Sequence, residues 1–150
     1  MVAGVKDLKL WQEAVALGGE VLRAARQHGR KELPWFIDEL AGFATAVAIS
    51  IAEGYGRGDA LDQQRVFEQA RRALTGFETQ LAIAKHGMLL PPETLTALAT
   101  RAATVGRLLA GFLTFIERQK SSELDEGTRR ISPAAATSPL RKALDEIYCA

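Results

Sequence analysis

Cysteine is nearly absent from this sequence, which has 150 residues and a single thiol, Cys149. One thiol closes no internal disulfide, so the fold must hold by packing, and a reducing compartment such as the cytoplasm is the expected setting. Histidine is almost as scarce, with His28 and His86 the only two. Aromatic residues make up 7% of the chain, and alternating strand patterns are missing, which excludes a sheet-built architecture. An excess of charge is missing too: 19 basic residues face 18 acidic ones, for a net charge of +1. General attraction to nucleic acid or to an anionic membrane is therefore excluded, and any such binding must come from a local patch. No basic-then-apolar leader is expected, because Lys6, Asp7 and Lys9 interrupt the opening residues. The longest uncharged apolar run, residues 40–52, falls short of the roughly 20 residues that a bilayer span needs.

What the sequence does have is alanine, leucine and a 47% hydrophobic share, enough for the core of one helical domain. Residues 40–52 carry no charge at all. A helix apolar on every side is buried on every side, so this one either contacts several neighbours or faces another copy of itself. Phe36, Leu40, Phe43, Val47 and Ile51 form its main stripe. Phe43, Val47 and Ile51 are the residues expected to meet a second copy.

Three further segments flank this helix. Leu8, Trp11, Val15, Gly18, Leu22 and Ala25 alternate steps of three and four, the seam of a packed helix that ends at His28-Gly29. Gly18-Gly19 inside it costs about 1 kcal/mol per glycine relative to alanine, which a close helix crossing would explain. Pro34 fits the first turn of the second helix. Gly54, Gly56 and Gly58 read as the link that ends it. Asp59, with Asp62 in a capping-box-like position, opens a third helix that runs to His86. Its stripe is Phe67, Ala70, Leu74, Phe77, Leu81 and Ala84. Pro91-Pro92 opens a fourth, with Leu95, Leu98, Ala102, Val105, Leu109, Phe112 and Ile116 on one face. These four elements with short links predict an all-α, antiparallel up-down-up-down four-helix bundle over residues 7–119. Residues 120–150 are polar, contain Pro133 and Pro139, and read as a flexible tail. Within it Leu140, Leu144 and Ile147 share one helical face and suit a short terminal element that docks on a neighbouring subunit or stays unpaired.

No catalytic set emerges. A carboxylate-bridged metal bundle needs Glu-x-x-His, and Ala25 and Ile83 stand three residues before the two histidines. Gly54-x-Gly56-x-Gly58 follows no strand and lacks the lysine and hydroxyl of a phosphate loop. The expectation is no enzyme, no metal and no cofactor. Glu53 ends the apolar helix where the dipole disfavours an anion, and Arg57, four residues on, is placed to form a structural ion pair with it. Arg57, Arg65, Arg71, Arg72 and Lys85 are the candidate nucleic-acid-binding residues, interleaved with Glu68 and Glu78; the same mixture also suits a plain solvated face.

Asp7-Leu8-Lys9-Leu10-Trp11-Gln12-Glu13-Ala14 resembles the opening "D-L-x-V-W-Q-x-A" of a family of four-helix bundle proteins. The family includes proteins encoded in intervening sequences of large-subunit ribosomal RNA genes and the accessory variability determinants of diversity-generating retroelements. Ile51-Ala52-Glu53-Gly54-Tyr55-Gly56-Arg57 is similar to its "N-I-A-E-G-x-x-R", and Phe77-Glu78 with Leu81 to its "E-L-E-x-x-L". The resemblance covers residues 7–118. It implies a bundle assembled as a homopentamer, without catalysis. In the retroelement relatives it implies binding to a reverse transcriptase and to RNA or DNA. The sequence departs at Ala41-Gly42-Phe43, where the family carries paired arginines. The expected function is thus an oligomeric accessory scaffold with no membrane partner. The alternative is a protein-interaction module that binds no nucleic acid, which the near-neutral charge favours.

Overall fold

The computed structural model describes residues 4–29 and 33–127, and the start of its third helix falls where capping chemistry puts it. Helix α1 is Lys9–Ala24, followed by a π turn Ala25–Gly29; α2 is Pro34–Gly56, α3 is Ala60–His86 and α4 is Pro92–Gly127. The Asp59 carboxylate accepts from the Asp62 N–H at 3.4 Å and so satisfies one of the free donors at the start of α3. At its other end the Gly87 N–H donates to the Ile83 carbonyl at 2.9 Å. The Thr45 hydroxyl donates back to the Ala41 carbonyl at 2.8 Å, as its place in an apolar run requires, whereas Ser50 makes no such bond. The described residues are all helix, turn or link, with no β-strand.

Two boundaries differ from the sequence reading. Helix α2 continues through Gly54 and Tyr55, both buried, to Gly56. A Cβ on Gly54 would lie 3.1 Å from the Phe67 ring, so this glycine serves close packing against α3, not a turn. Helix α4 continues beyond Gln119 to Gly127, because serines and acidic residues tolerate a helix that no longer packs on a core. The remainder of the expected tail, with Leu140, Leu144 and Ile147, lies outside the described residues.

Each helix packs on the next, and α4 packs back on α1. Helices α2 and α3 run in opposite directions: the Gln80 amide donates to Glu39 at 3.1 Å, Gly76 faces Phe43, and Gly54 faces Phe67. Helices α3 and α4 do the same, with the Gln64 amide donating to Glu117 at 2.7 Å and Leu74 against Gly106. The predicted stripes of α3 and α4 are buried throughout. Phe67, Phe77 and Phe112 are fully enclosed, each worth about 1.5–3 kcal/mol of transfer free energy. The rings of Phe67 and Phe112 meet at 5.4 Å across the α3–α4 seam.

The predicted seam of the first helix holds at its ends, where Leu8 and Ala25 are buried and Trp11 packs on the core, but α1 is rotated between them. It buries Leu10, Ala14, Leu17, Val21 and Ala24, leaving Val15 43% and Leu22 57% exposed. Both stripes are apolar with the same spacing, and an ion pair separates them. Arg101 of α4 donates from Nε to Glu20 at 2.5 Å and from Nη1 to Glu13 at 2.6 Å. Turning Glu13 and Glu20 toward α4 turns Val15 and Leu22 outward.

Candidate functional site

Helix α2 turns one apolar stripe to its own bundle and a second, also uncharged, to solvent. Phe36, Ile37, Leu40, Ala44, Val47 and Ile51 are buried. Gly42, Thr45 and Ile49 point out, with Ile49 52% and Trp35 60% exposed. The expected contact residues Val47 and Ile51 are fully enclosed within the single chain, and Phe43 packs, half-buried, on Gly76. Val47 and Ile51 are core residues with no surface left for a second copy, whereas Phe43 keeps part of its ring exposed. An uncharged helix has no polar face to mark its outside, so periodicity alone could not tell the inner stripe from the outer one.

Between α1 and α2 lies a shallow cavity of about 450 Å³ lined by Gly19, Leu22, Ile37 and Ala41 together with the charged Arg23, Arg26 and Asp38; Val15, seven residues from Leu22, lies on the same side of α1. Gly18, Gly19 and Gly42 border this face. A Cβ added to any of them would meet nothing within 4 Å. No helix crossing among the described residues accounts for them, although each weakens its helix by about 1 kcal/mol.

The candidate basic residues lie along the length of α3 rather than in one cluster. Arg65 and Arg72, seven residues apart, share its outer stripe. Arg65 lies 4.0 Å from Asp62, and Arg71 is paired with Glu68 at 2.7 Å. Arg72 and Lys85 are exposed, with Lys85 near the far end of the helix. Arg57 stands at the α2–α3 link, where its carbonyl accepts from the buried Gln63 amide at 2.9 Å. Arg57 and Glu53 form no ion pair. Arg57 leaves the helix with φ −75° and ψ 140°, which removes it from the face that Glu53 occupies.

Both histidines sit at helix ends, as expected, and both are exposed. His28 helps line a groove of about 1090 Å³ at the α3–α4 link, floored by Leu81, Leu89, Leu90 and Leu95 and rimmed by Glu78 and Lys85. The groove mixes residues from three parts of the chain, and no single-segment pattern announces it. Among the described residues no group of three or more His, Cys, Asp or Glu could hold a metal ion. By length and composition α2 is apolar enough to cross a membrane; the uncharged run alone understated it, since flanking apolar residues extend it. Its inner stripe is the core of the bundle.

These features define an all-helical domain with an apolar face on one side, arginines along another, and a groove at one end. The chain belongs to the 23S rRNA-intervening sequence protein family, which it matches over residues 6–111. The match takes in α1, α2, α3 and the first part of α4, and agrees with the motifs at residues 7–14 and 51–57. No curated protein matches the chain.

Proposed function

We infer that this chain is a non-enzymatic accessory scaffold, an up-down-up-down bundle that works as a cytoplasmic homo-oligomer and presents its α3 arginines to nucleic acid. One observation carries the reading. The outer α1–α2 face combines exposed Val15, Leu22, Trp35 and Ile49 with glycines that nothing among the described residues requires. Large apolar side chains exposed on neighbouring helices mark an interaction surface, and small residues let a second backbone approach closely. A second copy supplies a matching surface without a further gene product. The family resemblance favours five subunits, and among its retroelement relatives a reverse transcriptase as partner. Burial of the α2 inner stripe favours a bundle core over a membrane span.

Ile49→Asp is the direct test. Light scattering after size exclusion should give a multiple of the 16.3 kDa chain for the parent and a monomer for Ile49→Asp. A parent that runs as a monomer at micromolar concentration refutes assembly. Filter binding to structured RNA and duplex DNA tests the arginines. Retention should fall with salt and with Arg65→Ala/Arg72→Ala, and no retention even near about 50 mM salt defeats this part.

A second reading, a protein-interaction module without nucleic acid, is favoured by the local ion pairs that already occupy Arg65 and Arg71. Co-purification of one stoichiometric protein, free of nucleic acid, would select it.

A further inference from the structure

The groove at the α3–α4 link has no part in the reading above. Met88 on its edge is 87% exposed and holds a left-handed φ of 52°. Glycine or asparagine normally takes that position after a helix. A methionine there costs about 1 kcal/mol of backbone strain and leaves a long apolar side chain in water. Ile83, on the same end of α3, is 55% exposed. Folding requires neither feature, and local choices that oppose the fold gather where a protein binds something.

We propose that this groove receives residues 140–147 from the tail of a second copy, docked as an amphipathic helix. Leu140, Leu144 and Ile147 are spaced to lay one apolar stripe on Leu81, Met88, Leu89 and Leu95. The groove rim carries Glu78 and then Lys85; the segment carries Arg141 and then Asp145, opposite in sign at each place when it runs parallel to α3. Reach selects the donor. With the segment parallel to α3, residue 140 sits beside Glu78, which the Leu74–Gly106 contact sets level with about Ala102, and from there to Gly127 α4 rises about 38 Å at 1.5 Å per residue. Residues 128–139 cover at most about 40 Å when taut and average about 19 Å as a flexible linker. A chain's own tail would arrive only if drawn nearly taut, about twice its average span, whereas the tail of a copy stacked end to end arrives beside the groove with slack to spare. Donor and acceptor lie at opposite ends, so each added copy offers a fresh groove and a fresh tail, and the assembly stays open-ended. This contact shares no residue with the α1–α2 face.

The test uses a fluorescently labelled peptide of residues 138–150, titrated with the full-length Leu144→Asp chain, whose own tail is disabled. Saturable polarisation is expected. The additional substitution Met88→Asp, at a position already exposed and so harmless to folding, should weaken binding about tenfold or more. In parallel, the mass of the parent by light scattering should climb with concentration, and Leu144→Asp should stop the climb while leaving any side-by-side unit intact. Absence of binding up to about 1 mM peptide, equal binding by the Met88→Asp chain, or an unchanged climb in Leu144→Asp would each overturn the proposal.

Discussion

Outside the apolar core, Arg101 is the residue whose loss the bundle should feel most. Its guanidinium bridges Glu13 and Glu20 at 2.6 and 2.5 Å, joining α4 to α1. A charge-assisted bond in a dry interior is worth about 1.5–3 kcal/mol. Here the Arg101 side chain is 33% exposed, with Glu13 at 24% and Glu20 at 20%, so solvent screening reduces each bond to about 1 kcal/mol. Replacing Arg101 by methionine keeps the aliphatic stem but leaves two carboxylates facing each other without a counter-charge, which adds a smaller repulsive cost. The expected sum is about 2–3 kcal/mol, or about 8–12 °C in Tm for a domain of this size. Thermal and urea unfolding followed by far-UV circular dichroism measures it. Arg101→Lys should fall between, since an ammonium keeps the charge but not the two-armed geometry. Arg101 holds its proton more tightly than usual, chiefly through its hydrogen bond to Glu20. A raised pKa supplies stability below the unfolded value and loses it only as pH rises through the folded one. Both lie far above the neutral range, so the gap between parent and Arg101→Met should stay constant from about pH 7 to about pH 10. Unfolding energies within about 0.5 kcal/mol of each other would refute the bridge as the device that sets the rotation of α1.

The glycines offer a sharper comparison. A Cβ at Gly76 would approach Phe43 to 2.6 Å, and one at Gly54 would approach Phe67 to 3.1 Å, yet Gly54→Ala should cost more, about 1–2 kcal/mol. Phe43 is half-exposed and can swing away, whereas Phe67 is enclosed; chemical denaturation of the two variants ranks them, and the reverse order would contradict the packing argument. Gly42→Ala meets no atom of the described residues, so it should raise monomer stability by about 0.5–1 kcal/mol while weakening assembly, which light scattering and unfolding read separately. A stabilised variant that assembles as well as the parent would remove Gly42 from the contact face. Asp59→Ala deletes the α3 cap and should cost about 1 kcal/mol, recovered in large part by Asp59→Ser; equal losses in both would show that the cap bond is not what matters.

Helix number, most helix ends and the inner faces of α3 and α4 follow from the sequence alone. In those two helices the charged residues leave one apolar stripe, and water decides which way it turns. Pro34, Asp59, Gly87 and Pro92 mark boundaries by chemistry that acts within one turn. Rotation of α1 and α2 was decided only in the tertiary structure. Helix α1 carries two apolar stripes of equal spacing, and Arg101, 81 positions from Glu20 in sequence, chooses between them. Helix α2 has no charge between residues 40 and 52, so its neighbours alone sort Val47 and Ile51 inward and Ile49 outward. The groove beside Met88 was equally out of reach, because it exists only where the ends of α1 and α3 and the start of α4 are brought together. Local preference acts through residues close in sequence, while rotation and concavity depend on contacts between segments far apart.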